Sequence, residues 1–417
     1  MRQVYSQCER SVLRLICFLG VATCGLLVPS GVDAAARPEA AAGGVRAEYR
    51  SRNFIVYTDL DKEEAEALLD DLETMLRIIS RYWGARMQKT VPCYVVKDLD
   101  NWGPRDLPPD ARVVVAGGGV TKAQGRQFGN RINLNATVYA SSKFGTPKHE
   151  AVHAYCYLAF GRTGPTWYAE GMAEMGNYWQ DGDETVTAPQ YVLQYLKRSP
   201  FKTVHEITDD RWGTGDGWQN YAWRWALCHF LVNNANYNER FRVLGVSFLA
   251  GRPASFERTY AAKMEELEFE FDFFVKHLQQ GFNVNRCSWD WTARYRLPTA
   301  KRMAKARILA DHGWQPSRAK VEEGQTYSYT ASGEWSVRDD ETLTANGRAD
   351  GSGRLTGVIL DDYSLSEEFL LGADGTFVAP ASGNLLLRCR DEWAQLEDNS
   401  GSMSVEVTAA AEDDQLE

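Results

Sequence analysis

The chain has 417 residues, of which 24% are charged and 12% aromatic, with 13 tryptophans. This composition excludes a disordered or low-complexity protein, and the length calls for two domains rather than one core. The formal net charge of −10 is not offset by any lysine- or arginine-rich stripe, so no nucleic-acid partner is expected.

At the N-terminus, Arg2, Arg10 and Arg14 flank the start of an apolar run over residues 15–28, which small residues follow through Ala36. That order predicts a signal peptide over 1–34, since the run is shorter than the ~20 residues that span a bilayer. The expected location is therefore secreted, periplasmic or cell-surface, with no membrane span after cleavage. Residues 35–47 read as a flexible leader. Cleavage leaves Cys93, Cys156, Cys228, Cys287 and Cys389, an odd number without a CxxC pair, so at least one thiol is unpaired and a cysteine zinc site is disfavoured.

Residues 48–285 are expected to form the first domain. Residues 53–58 alternate as a strand does, and 61–83 repeat leucine and isoleucine at helical spacing. Further strands are predicted over 91–96, 112–115 and 132–140, separated by glycine-rich turns. From residue 146 to about 252 the pattern is mostly helical, including 221–233, and a helix over 261–280 closes the domain. Its acidic run 265–270 reads as a solvated face. A linker is expected over 286–319. Over 320–408 short apolar runs alternate with turns such as Ala345-Asn346-Gly347 and Ala373-Asp374-Gly375, which predicts an all-β sandwich. Residues 409–417 read as a disordered acidic tail. The expected fold class is α+β: a small mixed sheet with a helical active-site region, followed by the sandwich.

The chemistry-bearing motif is His149-Glu150-Ala151-Val152-His153. Residues four apart share one helical face, so both imidazoles reach a single ion while Glu150 sits beside it. Gly164-Pro165 ends that helix, and Trp167-Tyr168-Ala169-Glu170-Gly171-Met172-Ala173-Glu174 starts another that can return a carboxylate to the ion. Two histidines, a glutamate and an open position make up the donor set of catalytic zinc.

HExxH followed by W-x-x-E-G-x-A resembles the gluzincins, zinc metallopeptidases of the thermolysin and aminopeptidase class, and among them the peptidase-MA-like proteins. The resemblance implies zinc held by His149, His153 and Glu170, with Glu150 as general base and Glu174 orienting a ligand histidine. It further implies Tyr221 as the donor to the developing oxyanion; the isolated histidines His205 and His229 are weaker candidates from the residues alone. An extended protein or peptide substrate would pair with a sheet edge, a role expected of 132–140. The absence of a GxMEN motif favours an endopeptidase.

Near the C-terminus, Leu385 to Asp391 and then Leu396-Glu397-Asp398-Asn399-Ser400-Gly401-Ser402 resemble the calcium-dependent galactophilic lectins of PA-I type. The resemblance implies calcium on Asp391, Asp398 and Asn399, hard oxygen donors of the kind calcium takes, and a glycan or cell-surface polysaccharide as partner. Arg390 and Gln395 depart from that family's pattern. Two other readings remain open from the residues. One is a non-catalytic calcium-dependent carbohydrate-binding protein with a vestigial zinc site; the other is a zinc amidase acting on a cell-wall polymer.

Overall fold

The computed structural model describes residues 47–128, 131–209, 217–338 and 341–410. The expected signal peptide, nearly all of the leader and most of the acidic tail lie outside them. The described residues form a mixed α+β architecture in two compact units. The first comprises the described residues up to Asp181 with Val204–Cys228 and Arg242–Ala254. The second comprises Gly182–Thr203, His229–Phe241 and the described residues from Ser255 onward.

The first unit begins with β1 (Ala47–Arg50), β2 (Phe54–Thr58), α1 (Lys62–Trp83) and β3 (Val91–Val96). Helix α1 starts where its sequence predicts: the Asp61 side chain accepts from the Glu64 N–H at 2.9 Å, while the Glu64 carboxylate accepts from the Asp61 N–H at 3.1 Å. This reciprocal cap satisfies two donors that the first turn leaves orphaned. The helix stops at Gly84, whose φ of 72° suits a residue without Cβ. Leu69, Leu72, Leu76 and Ile79 form its buried stripe.

Next come α2 (Pro109–Val114), β4 (Gly119–Phe128), β5 (Arg131–Ser141), α3 (Thr146–Phe160) and α4 (Thr166–Tyr178). Residues 112–115, expected as a strand, fall largely in α2. Pro109 presets helical φ at its first position, and Val113 is exposed, so the apolar run has no strand-like burial. Strand β4 escaped the sequence reading because Gly-Val-Thr-Lys-Ala-Gln-Gly-Arg-Gln-Phe carries little apolar alternation. The sheet order is β1-β2-β3-β5-β4, with β2, β3 and β5 parallel and with β1 and β4 antiparallel at the edges. Strand β5 is therefore interior, and the edge expected of 132–140 belongs to β4.

Helix α6 (Val204–Thr208) lies in the first unit, α5 (Gln190–Arg198) in the second, and α7 (Trp218–Asn233) and α8 (Asn238–Leu249) contribute residues to both. The second unit continues with α9 (Phe256–Tyr260) and α10 (Met264–His277), then the sandwich strands β6 (Ala304–Leu309), β7 (Gln315–Val321), β8 (Thr326–Ser336), β9 (Leu355–Asp361), β10 (Ser364–Leu365), β11 (Phe369–Leu370), β12 (Asp374–Val378), β13 (Gly383–Cys389) and β14 (Ser400–Ala409). One sheet runs β10-β9-β13-β7, with β11 also on β9, and the other runs β12-β8-β14-β6. The sandwich thus begins at Ala304 rather than near residue 320, and β6 and most of β7 occupy the expected linker. Ala304, Ala306 and Ile308 point inward while Lys305 and Arg307 point out, an alternation that small alanines conceal in the sequence.

Strand β13 shows how the sandwich is used on both faces. Leu385, Leu387 and Cys389 enter the core between the sheets with Trp335, Ile359, Met403 and Val405. Leu386 instead joins Val358, Phe273 of α10, Trp289 and Trp314 in a second apolar cluster. Glu270 of α10 departs from the solvated face expected of 265–270: it is 2% exposed, and its carboxylate accepts five hydrogen bonds from Asn234, Asn236, Tyr237, Trp289 and Trp291. A buried carboxylate is tolerated when donors surround it.

Candidate metal centre and sandwich loop site

Helix α3 enters through Gly145 at φ 69° and leaves through Gly161 at φ 81°. It carries His149, Glu150 and His153 beside α4, which carries Glu170 and Glu174. Two α4 glycines let the helix approach its neighbours. A Cβ on Gly176 would stand 2.4 Å from Cγ2 of Val152 on α3, and one on Gly171 would stand 2.5 Å from Sγ of Cys228 on α7. Both glycines are therefore packing requirements, and the close approach at Gly176 sets the α4 carboxylates opposite the α3 imidazoles.

His149, His153 and Glu170 each bring one ligand atom to a common point, with all three atoms within 4.8 Å of one another. His149 Nε2 lies 3.2 Å from Glu170 Oε2 and 3.3 Å from His153 Nε2, and His153 Nε2 lies 3.5 Å from the same Glu170 oxygen. On the far side of the ring, His149 Nδ1 lies 2.9 Å from Glu174 Oε1. A bond there fixes the tautomer and directs Nε2 toward the shared point. Asn177, one turn further along α4, donates to Glu174 Oε2 at 3.2 Å and to the Phe144 carbonyl at 3.2 Å. The donor types and their convergence fit zinc.

Glu150 is 7% exposed. Thr121 Oγ1 lies 2.9 Å from Glu150 Oε2 and 2.7 Å from the Glu150 backbone carbonyl, so the carboxylate is steadied from β4. Burial raises its carboxyl above the usual range, while His149, His153 and Thr121 pull it back in part. Burial also acts to raise Glu170, but the two imidazoles outweigh it and hold that carboxyl well below the usual range. His149 shows the converse: burial disfavours the imidazolium, yet Glu170 and Glu174 lift its pKa well above the ordinary value.

The Tyr221 ring lies 5.7 Å from the His149 ring, and the Arg224 guanidinium lies 5.8 Å from the Tyr221 centroid. The structure thus brings together Tyr221 with the three ligand candidates, Glu150 and Glu174. His205 is exposed on α6. His229 belongs to the second unit, where it is stacked on Phe274 and pushed down to about 4 by burial. Sequence reasoning missed Gly119, Thr121 and Asn177. Only Asn177 left a signal, its three-residue spacing from Glu174 on one helical face. Cys93, Cys156, Cys228, Cys287 and Cys389 are all buried and free.

In the second unit, Asp391 follows β13 and Asn399 precedes β14. Asp391 Oδ1 accepts from the Glu392 N–H at 2.8 Å, and Asn399 Nδ2 donates to the Ala310 carbonyl at 3.2 Å. Among the described residues, Asp391 Oδ2 and Asn399 Oδ1 are buried without a hydrogen-bond partner. Unpartnered buried oxygens are costly, and two of them on the implied ligand residues fit a hard cation. Asp398 is exposed, as are the departing residues Arg390 and Gln395. Asp391, Asp350, Ser352, Glu368 and Trp393 line an open cleft of about 660 Å³.

Among the described residues no helix is long and apolar enough to cross a membrane. No family model matches the chain, and no curated protein matches it in sequence. A solved structure described as "EclA N-terminal domain; PllA-like lectin" is similar at 23% identity, over 25% of this chain and 95% of that one, with a TM-score of 0.20.

Proposed function

We propose that this chain is an exported zinc-dependent peptidase, most simply an endopeptidase, whose sandwich carries a calcium-dependent glycan site. The observation that carries the first half is the convergence of His149, His153 and Glu170 within 4.8 Å, with Glu150 next to the cluster and outside it. Zinc held there supplies Lewis-acid polarisation of a carbonyl and lowers the pKa of water toward neutrality.

The remaining work falls to residues of the chain. Glu150 takes the proton of the attacking water and delivers it to the departing amine. Thr121 holds one Glu150 oxygen, so the carboxylate keeps one orientation toward the cluster. Among the described residues strand β4 is paired on one side only, and an extended peptide adds to its other edge by main-chain hydrogen bonds. Tyr221, with its ring beside His149, supplies the hydrogen bond to the developing oxyanion. Glu174 and Asn177 keep His149 aligned. The glycan half is carried by the two buried, unpartnered oxygens of Asp391 and Asn399.

The test is metal analysis of the exported protein together with casein hydrolysis with and without chelator. One zinc per chain and chelator-sensitive cleavage are expected. A chain without zinc or hydrolysis that still retains sugar in calcium would leave the non-catalytic carbohydrate-binding reading in place. Cleavage of cell-wall amides but not casein would select the amidase.

A further inference from the structure

A second cleft lies on the outer face of the β10-β9-β13-β7 sheet, around the start of β13. Leu360, Lys320, Asn384, Asp361 and Asp362 line it together with the aromatic residues Trp291 and Tyr363. Asp391 stands past the opposite end of β13, so this cleft is separate from the calcium loop.

Three observations show that the cleft is built. First, Trp291 is fixed: its Nε1–H donates to the buried Glu270 carboxylate at 2.7 Å, and its ring stacks on Trp289 at 5.9 Å. The same carboxylate collects four further donors. Second, Asp362 and Tyr363 form the two-residue turn between β9 and β10, and both have positive φ, 42° and 58°. Such positions ordinarily go to glycine or asparagine, so a tyrosine there is strained, and strain of this kind collects at ligand-holding sites. Its ring meets Trp291 at 5.8 Å and Phe269 at 6.0 Å and is 37% exposed. Third, the side chains of Lys320, Asp361, Asp362 and Asn384 make no hydrogen bond or ion pair with any described residue, although they surround one cavity.

Rigid aromatic rings beside uncommitted donors and acceptors match a ligand with an apolar face and a rim of hydroxyls. One cation against two carboxylates offers no net attraction for an anion. The cavity, about 210 Å³, lies below the roughly 300–1,000 Å³ of sites that enclose drug-sized ligands, which suits a single ring. We propose that this cleft is a second glycan subsite that holds one neutral sugar residue on Trp291 and Tyr363 without calcium. The proposal rests on reading the sandwich as a glycan-binding module, but it requires neither Asp391 nor the ion.

The experiment passes the full chain over agarose bearing galactose, mannose or N-acetylglucosamine, once in chelator and once in calcium. The variants are Tyr363→Ala, Tyr363→Phe and Asn384→Ala, each checked for an unchanged melting temperature, and the pair Asp391→Ala with Asp398→Ala. Retention on at least one resin in chelator is expected. It should fall on the order of tenfold in Tyr363→Ala and Asn384→Ala, and persist in Tyr363→Phe and in the aspartate pair. No retention on any resin in chelator overturns the subsite, as does chelator-resistant retention that Tyr363→Ala and Asn384→Ala leave unchanged. Calcium-dependent retention lost only in the aspartate pair would uphold the calcium site while removing this one.

Discussion

Gly119→Ala, at the start of β4, adds one methyl group beside the proposed general base. The new Cβ would stand 2.6 Å from Cγ of Glu150, 2.6 Å from Cγ2 of Thr146 and 3.0 Å from Glu150 Oε1. Non-bonded carbons rest at about 3.5–4.0 Å, so Glu150, Thr146 or the strand must yield by about 1 Å. Glu150 is buried, and Thr121, two residues along the same strand, holds its Oε2. The displacement therefore reaches the carboxylate. A misplacement of about 1 Å in an active site can cost on the order of 10²-fold in rate, and overpacking typically costs about 1–3 kcal/mol of stability. The expected result is a ~10²-fold fall in kcat with KM and zinc content near those of the parent. The assay is cleavage of a fluorogenic casein, with zinc by plasma mass spectrometry and stability by urea titration. Parental kcat in a folded, zinc-loaded Gly119→Ala protein would refute the placement of Glu150 as the proton carrier.

The other expectations concern the metal ligands, the Asp59 carboxylate and the sandwich loop. Glu170→Ala should lose zinc, while Glu174→Ala should weaken its retention by roughly 10- to 100-fold, as for a partner that orients a ligand; equilibrium dialysis reads both, and parental affinity in Glu170→Ala would show the third ligand to be misassigned. At Asp59 burial pushes the carboxyl up, but donors from Lys97, Asn101, Asp98 and Trp102 outweigh it and hold the group below the usual range. Its contribution to stability is therefore present above the unfolded value near ~3.9 and lost as pH falls through the lower folded value. Asp59→Asn should flatten that acid limb in urea titrations; an unchanged limb would remove Asp59 from the account. Calcium bound only to the folded state raises stability by mass action, so the full chain's melting temperature should climb with calcium, and Asp391→Ala with Asp398→Ala should abolish the climb. Identical melting in calcium and chelator would leave the buried oxygens of Asp391 and Asn399 without a cation.

What the sequence disclosed depended on whether a residue's role had a period. His149, Glu150, His153, Glu170 and Glu174 were legible because helical geometry turns spacing into a shared face, and α1 was legible because its cap and leucine stripe agree. Strand β4 was not, since its side chains are mostly polar and its importance lies in its backbone edge and in Gly119, where the chain approaches Glu150. The start of the sandwich was hidden by alanines, which can be buried without looking strongly apolar. Glu270 looked solvated within an acidic run, because the donors that make its burial tolerable come from the 234–237 and 289–291 stretches. The Asp362-Tyr363 turn carries no glycine to announce its backbone. The Asp391 and Asn399 loop was found through resemblance, and its orphaned oxygens emerge only from the three-dimensional structure.

The most direct test of the central claim is Glu150→Gln, assayed for zinc and for casein hydrolysis in one preparation. Glutamine keeps the size of the side chain and removes the base, while His149, His153 and Glu170 are untouched. About one zinc per chain and a loss of hydrolysis of at least ~10²-fold are expected. Substantial hydrolysis by the zinc-loaded variant would contradict it.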